Sequence, residues 1–216
     1  MIVSKKKPAE ELFAMLDGAK RVGLVGCKSC ASACAVGGEK ECAELKAALE
    51  ARGVEVVGVA LPDESCHKLL VRRELKPILA ESPDAVVSLA CGSGCQTVAE
   101  LCPQPVYPAN DTLFVGQTER VGIFREMCRT CGSCVLGETG GICPVTKCAK
   151  SLVNGPCGGQ RNGKCEVNPE NDCAWVLIYE RLKAQGRLGL LEKTAKDKDA
   201  SDHVWPASVN VREAKK

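Results

Sequence analysis

Three cysteines at two-residue intervals, Cys128, Cys131 and Cys134, with Cys143 and Pro144 close behind, are the residues whose spacing speaks most directly of chemistry. A tight loop of this kind offers three thiolates to three irons of one cubane, the fourth coming from elsewhere. Zinc sites more often draw two ligands from each of two separated knuckles. Downstream, Cys148, Cys157, Cys165 and Cys173 stand nine, eight and eight residues apart and make a second complete set of four. Two of them sit in the glycine-rich run NGPCGGQRNGKC. Glycine lets backbone amides approach sulfur closely and so tune a bound centre. The eight cysteines can also interleave, so their pairing is not readable from order.

The N-terminal half holds a third candidate. One apolar run leads into Cys27, Cys30 and Cys34, and another into Cys91 and Cys95. Loops that follow adjacent strands of a parallel sheet meet at its carboxyl edge, where ligands bind. Cys91 therefore completes a four-thiolate site with Cys27, Cys30 and Cys34, with Cys66 as a rival fourth ligand and Cys95 as an alternate. Cys42 falls on a helix face and Cys102 ends a helix, positions of packed thiols. His67 and His203 are the two histidines, and His67 reads as a surface helix start. The run ACGSG matches neither Gly-rich phosphate loop. No single poised thiol marks a hydrolase, and no catalytic residue is assigned.

These sites need elements to hold them. The runs RVGLVG (21–26), VEVVGVA (54–60) and DAVVSLA (84–90) are continuously apolar, as in strands buried on both faces. Between them, 38–52 puts Cys42, Leu45 and Leu49 on one helical face ending before Gly53. Residues 67–80 and 97–101 read as further helices, the former with Leu69, Leu70, Arg73 and Lys76 in mixed periodicity. Residues 103–118 read as a return strand or a linker. The alternation predicts an α/β fold: a small doubly wound parallel sheet, then a cysteine-rich, metal-stapled ferredoxin-like segment and a C-terminal helix. The expected domains are 1–120, 121–193 and a C-terminal arm, 194–216. The helix 172–185 is expected to be capped by Asn171 or Asp172 and to bury Trp175, Ile178, Tyr179 and Leu182. Phe13, Phe114 and Phe124 have no evident place in the core and are expected to face a partner.

Composition sets limits. The 216 residues carry 29 Lys and Arg against 27 Asp and Glu, with seven aromatic residues. Neither the charge balance nor the aromatic content is that of a nucleic-acid binder. The longest apolar stretch, 54–61, falls far short of the roughly 20 residues of a membrane span. The first residues lack the apolar core of a leader, so a cytoplasmic protein with reduced thiols is expected. That leaves metal or iron–sulfur ligation to explain sixteen cysteines.

The blocks CKSCASACAVGGEKE (27–41), SLACGSGCQTVAE (88–100), CRTCGSCVLGETGGICPVTKCAKSLVNGPCGGQRNGKCEV (128–167) and DCAWVLIYERL (172–182) are similar to the MetV family, the iron–sulfur subunits of methylenetetrahydrofolate reductase. The resemblance implies a non-catalytic electron-transfer subunit of an oxidoreductase complex, in the one-carbon metabolism and acetyl-CoA pathway of acetogens. It implies a flavin-bearing MetF-type TIM-barrel partner that alone holds FMN or FAD, and an electron donor such as ferredoxin or an NADH- or hydrogen-oxidising module. The chain's length suits a separate subunit without a barrel of about 250 residues. Carried over, the family's ligands fall on Cys27, Cys30, Cys34, Cys91, Cys128, Cys131, Cys134, Cys143, Cys148, Cys157, Cys165 and Cys173. They imply two or three [4Fe–4S] clusters, with one site open to zinc. A zinc-stabilised scaffold in the same complex is the alternative.

Overall fold

A computed structural model describes residues 1–194 and 206–211. The chain divides into two compact units, Met1–Arg125 and Glu126–Lys216. Most of the expected C-terminal arm, and His203, lie outside the described residues.

In the first unit the three apolar runs become the parallel strands β2 (Arg21–Val25), β3 (Glu55–Ala60) and β4 (Ala85–Ser88), joined by β5 (Val106–Pro108). Among the described residues they form a four-stranded sheet ordered β3-β2-β4-β5. Every residue of β4 is buried, as are the last four of β2. Successive side chains point to opposite faces. Val22, Leu24, Ala85 and Val87 join one core with Cys42, Leu49, Leu12 and Leu16. Val25 and Val86 join the other with Val71, Leu75, Ile78 and Val98. The helices that cover these faces are α1 (Ala9–Met15), α3 (Glu39–Glu50), α4 (Lys68–Ala80) and α5 (Gly92–Ala99), with the short α2 (Cys30–Ala33) after β2.

Several details differ from the sequence reading. α4 buries Val71, Leu75 and Ile78, while Leu69 is exposed. The run ACGSG lies at the start of α5, which begins at Gly92, five residues earlier than expected. Phe13 packs against the first core with the Arg52 guanidinium 3.8 Å over its ring. Phe114 and Phe124 are half-buried. An antiparallel sheet was also unforeseen: β1 (Ile2–Lys6), β6 (Asn110–Arg120) and β7 (Ile123–Cys128) form it in the order β1-β6-β7, pairing Ile2 with Val115 and Lys6 with Asn110.

The second unit is mostly irregular. Its helices are the single turn α6 (Pro144–Lys147), α7 (Ala174–Ala184) and a 3-10 turn at Leu188–Leu190. Its described core cluster is Trp175, Ile178 and Leu182, with five partly buried neighbours packed against it, Ile142, Cys148, Cys173, Leu188 and Leu190. Tyr179 belongs to the exposed side of α7, with the Lys183 ammonium over its ring, and not to the buried stripe. Cys173, rather than Asn171 or Asp172, caps α7. The Asp172 carboxylate is engaged instead by Lys164 at 2.7 Å.

Candidate metal centres

All sixteen cysteines are free thiols. Cys148 follows α6, Cys173 precedes α7, and Cys157 and Cys165 come from the glycine-rich loop between them. The loop folds back on itself through isolated bridges that pair Lys164 with Arg161 and with Asp172. The Cys165 amide donates to Asn171 O at 2.9 Å, and the Cys173 amide to Gly163 O at 2.7 Å. The Trp175 indole donates to Leu152 O at 3.0 Å, tying α7 to the segment after α6. As a result Cys148, Cys157, Cys165 and Cys173 line one cavity, together with Lys150, Glu166 and Trp175.

The electrostatics favour thiolate at Cys165. The amides of Asn168 and Val167, with that of Ala149, donate to the Cys165 sulfur and hold its pKa below the ordinary thiol range. The Cys157 thiol donates to Glu166 Oε1 at 3.2 Å, and the Lys150 ammonium pairs with the same carboxylate. That pairing, first, and the Cys157 bond, second, lower the Glu166 pKa. Gly159 makes room for the carboxylate: a Cβ there would stand 1.7 Å from Glu166 Oε2. Sequence reasoning missed Lys150 and Glu166, since an ordinary charged pair sixteen residues apart carries no motif.

Cys128, Cys131, Cys134 and Cys143 have a different setting. Cys128 ends β7 and its sulfur accepts from the Thr130 amide at 3.3 Å. Thr130 and Gly132 have positive φ, which turns the loop tightly between the three thiols. Cys143 caps α6, and Lys147 of that turn donates to Glu126 O at 3.2 Å, holding Cys143 near the foot of the loop. One helical turn thus carries Cys143 at one end and Cys148 at the other, so the two sets share a support. Neither described cavity is lined by Cys128, Cys131, Cys134 or Cys143.

In the first unit, Cys27 is buried against Ala31, Val36 and Ala90, with Cys34 beside them. Cys30 opens α2 and Cys34 caps its end, and both meet β1: the Ile2 amide donates to Cys30 Sγ at 3.4 Å, and Cys34 Sγ donates to Ile2 O at 3.8 Å. Cys42 is 1% exposed; burial, with the nearby Glu41 charge, pushes its thiol up to about 12. Cys102 is buried as well, and burial raises its pKa. Both are packed thiols, as expected. His67 caps α4 on the surface.

Among the described residues no three Cys, His, Asp or Glu side chains stand together in metal-holding geometry. No described helix is long and apolar enough to cross a membrane. A second cavity of the second unit, about 930 Å³, shares Trp175 and is walled by Val135, Val153, Tyr179 and Leu191.

Residues 107–201 match the family model described as methylene-tetrahydrofolate reductase C terminal. The match begins in β5 and takes in β6, β7 and the cysteine-rich unit. No curated protein and no solved structure matches the chain.

Proposed function

We propose that this chain, whose residues 107–201 match the model of the methylene-tetrahydrofolate reductase C-terminal family, is the iron–sulfur electron-transfer subunit of a methylenetetrahydrofolate reductase. In this reading it is cytoplasmic and passes electrons from ferredoxin, or from an NADH- or hydrogen-oxidising module, to FMN or FAD on a MetF-type TIM-barrel partner. The setting is the one-carbon metabolism of the acetyl-CoA pathway. The observation that carries the reading is the cavity on which Cys148, Cys157, Cys165 and Cys173 meet, inside the matched segment.

The donor set fits such a group. The fit is one of chemistry: four cysteines line one cavity, and soft thiolates select iron–sulfur clusters or zinc over harder ions. A [4Fe–4S] cluster bound there would supply one-electron transfer, its potential set by charge, sulfur hydrogen bonds and exposure. The chain's own residues do the rest. Amides of Asn168, Val167 and Ala149 stabilise negative charge on Cys165. Lys150 offsets part of the charge that four thiolates would bring, and Glu166 holds Lys150 beside them. Trp175 supplies an apolar wall. Cys128, Cys131, Cys134 and Cys143 are the second ligand set in this reading, and Cys27 with other N-terminal cysteines the third.

Anaerobic purification tests it. Brown protein with broad absorbance near ~400 nm, and iron and sulfide for two or three cubanes (roughly 8–12 of each per chain), is expected. Cys131→Ser should remove about one cluster's iron and slow reduction of the partner's flavin. The partner's reaction with artificial donors should be untouched, which separates a relay from a catalytic residue. Colourless protein containing zinc alone would replace the relay with a zinc-stapled scaffold. The complex with the flavoprotein is expected to bury more than about 1,200 Å².

A further inference from the structure

α4 buries Val71, Leu75 and Ile78, and the rest of its surface carries Lys68, Arg72, Arg73 and Lys76 with a single acid, Glu74. One helix thus holds four cations, while the whole 216-residue chain has a formal net charge of +2. Lys68, Arg72 and Lys76 follow one another at four-residue intervals and form a row along the helix. Like charges in that relation repel and weaken a helix. Lys68 also opens α4, the end where the helix dipole disfavours a cation, and the first turn holds no acid to offset it.

Neighbouring groups answer only part of this charge. Lys68 pairs with Glu100 at 2.6 Å, and Arg73 with Glu74 at 3.3 Å. The other oxygen of Glu74 accepts from the Leu61 amide at 3.2 Å. Arg72 and Lys76 are exposed and have no ion-pair partner among the described residues. α3 shows the ordinary arrangement instead: Lys40 has Glu44, and Lys46 has Glu50, four residues on. Leu69 lies amid the α4 cations, 67% exposed, with Arg72 and Arg73 three and four residues further along. A merely solvated helix gains nothing from that leucine or from the repelling row, whereas a contact surface gains from both. α4 follows β3, so the row starts at the carboxyl edge of the parallel sheet, where Cys27 follows β2 and Cys91 and Cys95 begin α5. The exposed Cys66 stands just before the helix.

We propose that the outer face of α4 docks an acidic protein, with carboxylates on Lys68, Arg72, Arg73 and Lys76 and an apolar side chain on Leu69. Only the identity of that protein, the electron donor, rests on the preceding reading. Charge complementarity chooses the occupant, since carboxylates set along the row relieve the repulsion the helix carries alone. A nucleic acid would also meet the cations, but a phosphate backbone leaves Leu69 uncovered, and α4 has no aromatic side chain for a base to stack on.

The test mixes the full chain, purified anaerobically, with a small ferredoxin of net negative charge and follows binding rates by surface plasmon resonance at low and high salt. Arg72→Glu should slow association about tenfold or more at low salt, flatten its salt dependence and change dissociation little. It places an acid between Lys68 and Lys76, so its thermal midpoint should hold or rise, and slower binding is not a folding defect. Leu69→Ser should speed dissociation at every salt and leave association nearly as it was. Lys46→Glu on α3 makes the same change in net charge and should leave both rates nearly unchanged. The docking face is overturned if Arg72→Glu and Lys46→Glu slow association equally, or if the acidic protein does not bind at low salt. It is also overturned if a single-stranded oligonucleotide binds and loses that binding in Arg72→Glu, while the acidic protein is unaffected. The electron relay fails by a separate reading, the iron and sulfide of the unsubstituted protein. Docking that persists in colourless protein would keep the α4 face and remove only the donor's identity.

Discussion

The two units solve the same problem with different materials. The first covers both faces of a buried sheet with apolar side chains, among them Leu24, Val87, Leu75 and Ile78. Among the described residues the second buries Ala174, Trp175, Ile178 and Leu182, and it carries eight cysteines. A small irregular segment with so little apolar surface needs staples from another source. Four of the eight cysteines line one cavity, and two of these, Cys148 and Cys173, pack against that core. Folding of the second unit and loading of its sites are therefore expected to be one event.

The largest effect follows directly. Chelation under anaerobic conditions should abolish hydrogen-exchange protection across residues 148–173 and leave β2 and β4 protected. Binding energy for a structural metal in such a segment is folding energy. Persistent protection of 148–173 in metal-free protein would falsify the comparison.

Core truncation is the next largest. Ile178 and Leu24 are both fully buried, so Ile178→Ala and Leu24→Ala should each cost about 2–5 kcal/mol. The contrast lies in what compensates. Saturating metal should rescue much of the Ile178→Ala loss, since a ligand that binds only the folded state stabilises it. It should leave the thermal midpoint of the Leu24→Ala first unit low. Equal rescue of both, measured by calorimetry with and without metal, would remove the distinction.

How far the sequence disclosed this depends on whether a signal was local. β2 and β4 were legible because burial on both faces leaves an unbroken apolar run. The β1–β6 pairing was not: it joins residues about 110 apart, and β6 is largely exposed and mixed in polarity. The start of α5 was obscured by its glycines, which serve the close approach to Ser65 rather than a loop. The cap of α7 moved to Cys173 because Lys164 holds Asp172. At the site, the even spacing of Cys148, Cys157, Cys165 and Cys173 is a local signal, and the fold lines one cavity with them. Lys150 and Glu166 are non-local and left no pattern to read.

A smaller effect separates a packed thiol from the rest. Cys42 is raised from 9.0 to about 12, first by burial and then by the Glu41 charge. A raised folded-state value means the neutral thiol stabilises the fold fully below pH 9, and that contribution fades as pH climbs toward about 12. Alkylation at pH 8–9 should therefore reach Cys42 after the exposed Cys66, Cys128, Cys134 and Cys157 in metal-free protein. Cys42→Ser should cost about 1 kcal/mol, flatten the alkaline loss and keep all iron. Early labelling of Cys42, or iron lost with it, would place it among the ligands.

The smallest expected effect tests whether the first unit has an acid-sensitive clasp of its own. Asp84 lies just before β4, and its carboxylate accepts from the Lys20 and Arg21 amides at 2.8 Å each. Those amides precede and begin β2, so one side chain fixes where two central strands start. The bond from Arg21, then that from Lys20, lowers the Asp84 pKa from 3.8. A lowered folded-state value gives stability that is present above the unfolded pKa and lost as pH falls through the folded one. The loss thus lies below about pH 4, a window in which thiols are neutral and metal sites have already been protonated empty. Asp84→Asn keeps one acceptor oxygen in the same shape but has no charge to lose. Its acid unfolding, followed by circular dichroism on metal-free protein, should be shallower below pH 4 than that of the unsubstituted chain, with a slightly lower stability at pH 7. Parallel acid curves for the two proteins would mean that the amide bonds, and not the charge, hold the strand starts together.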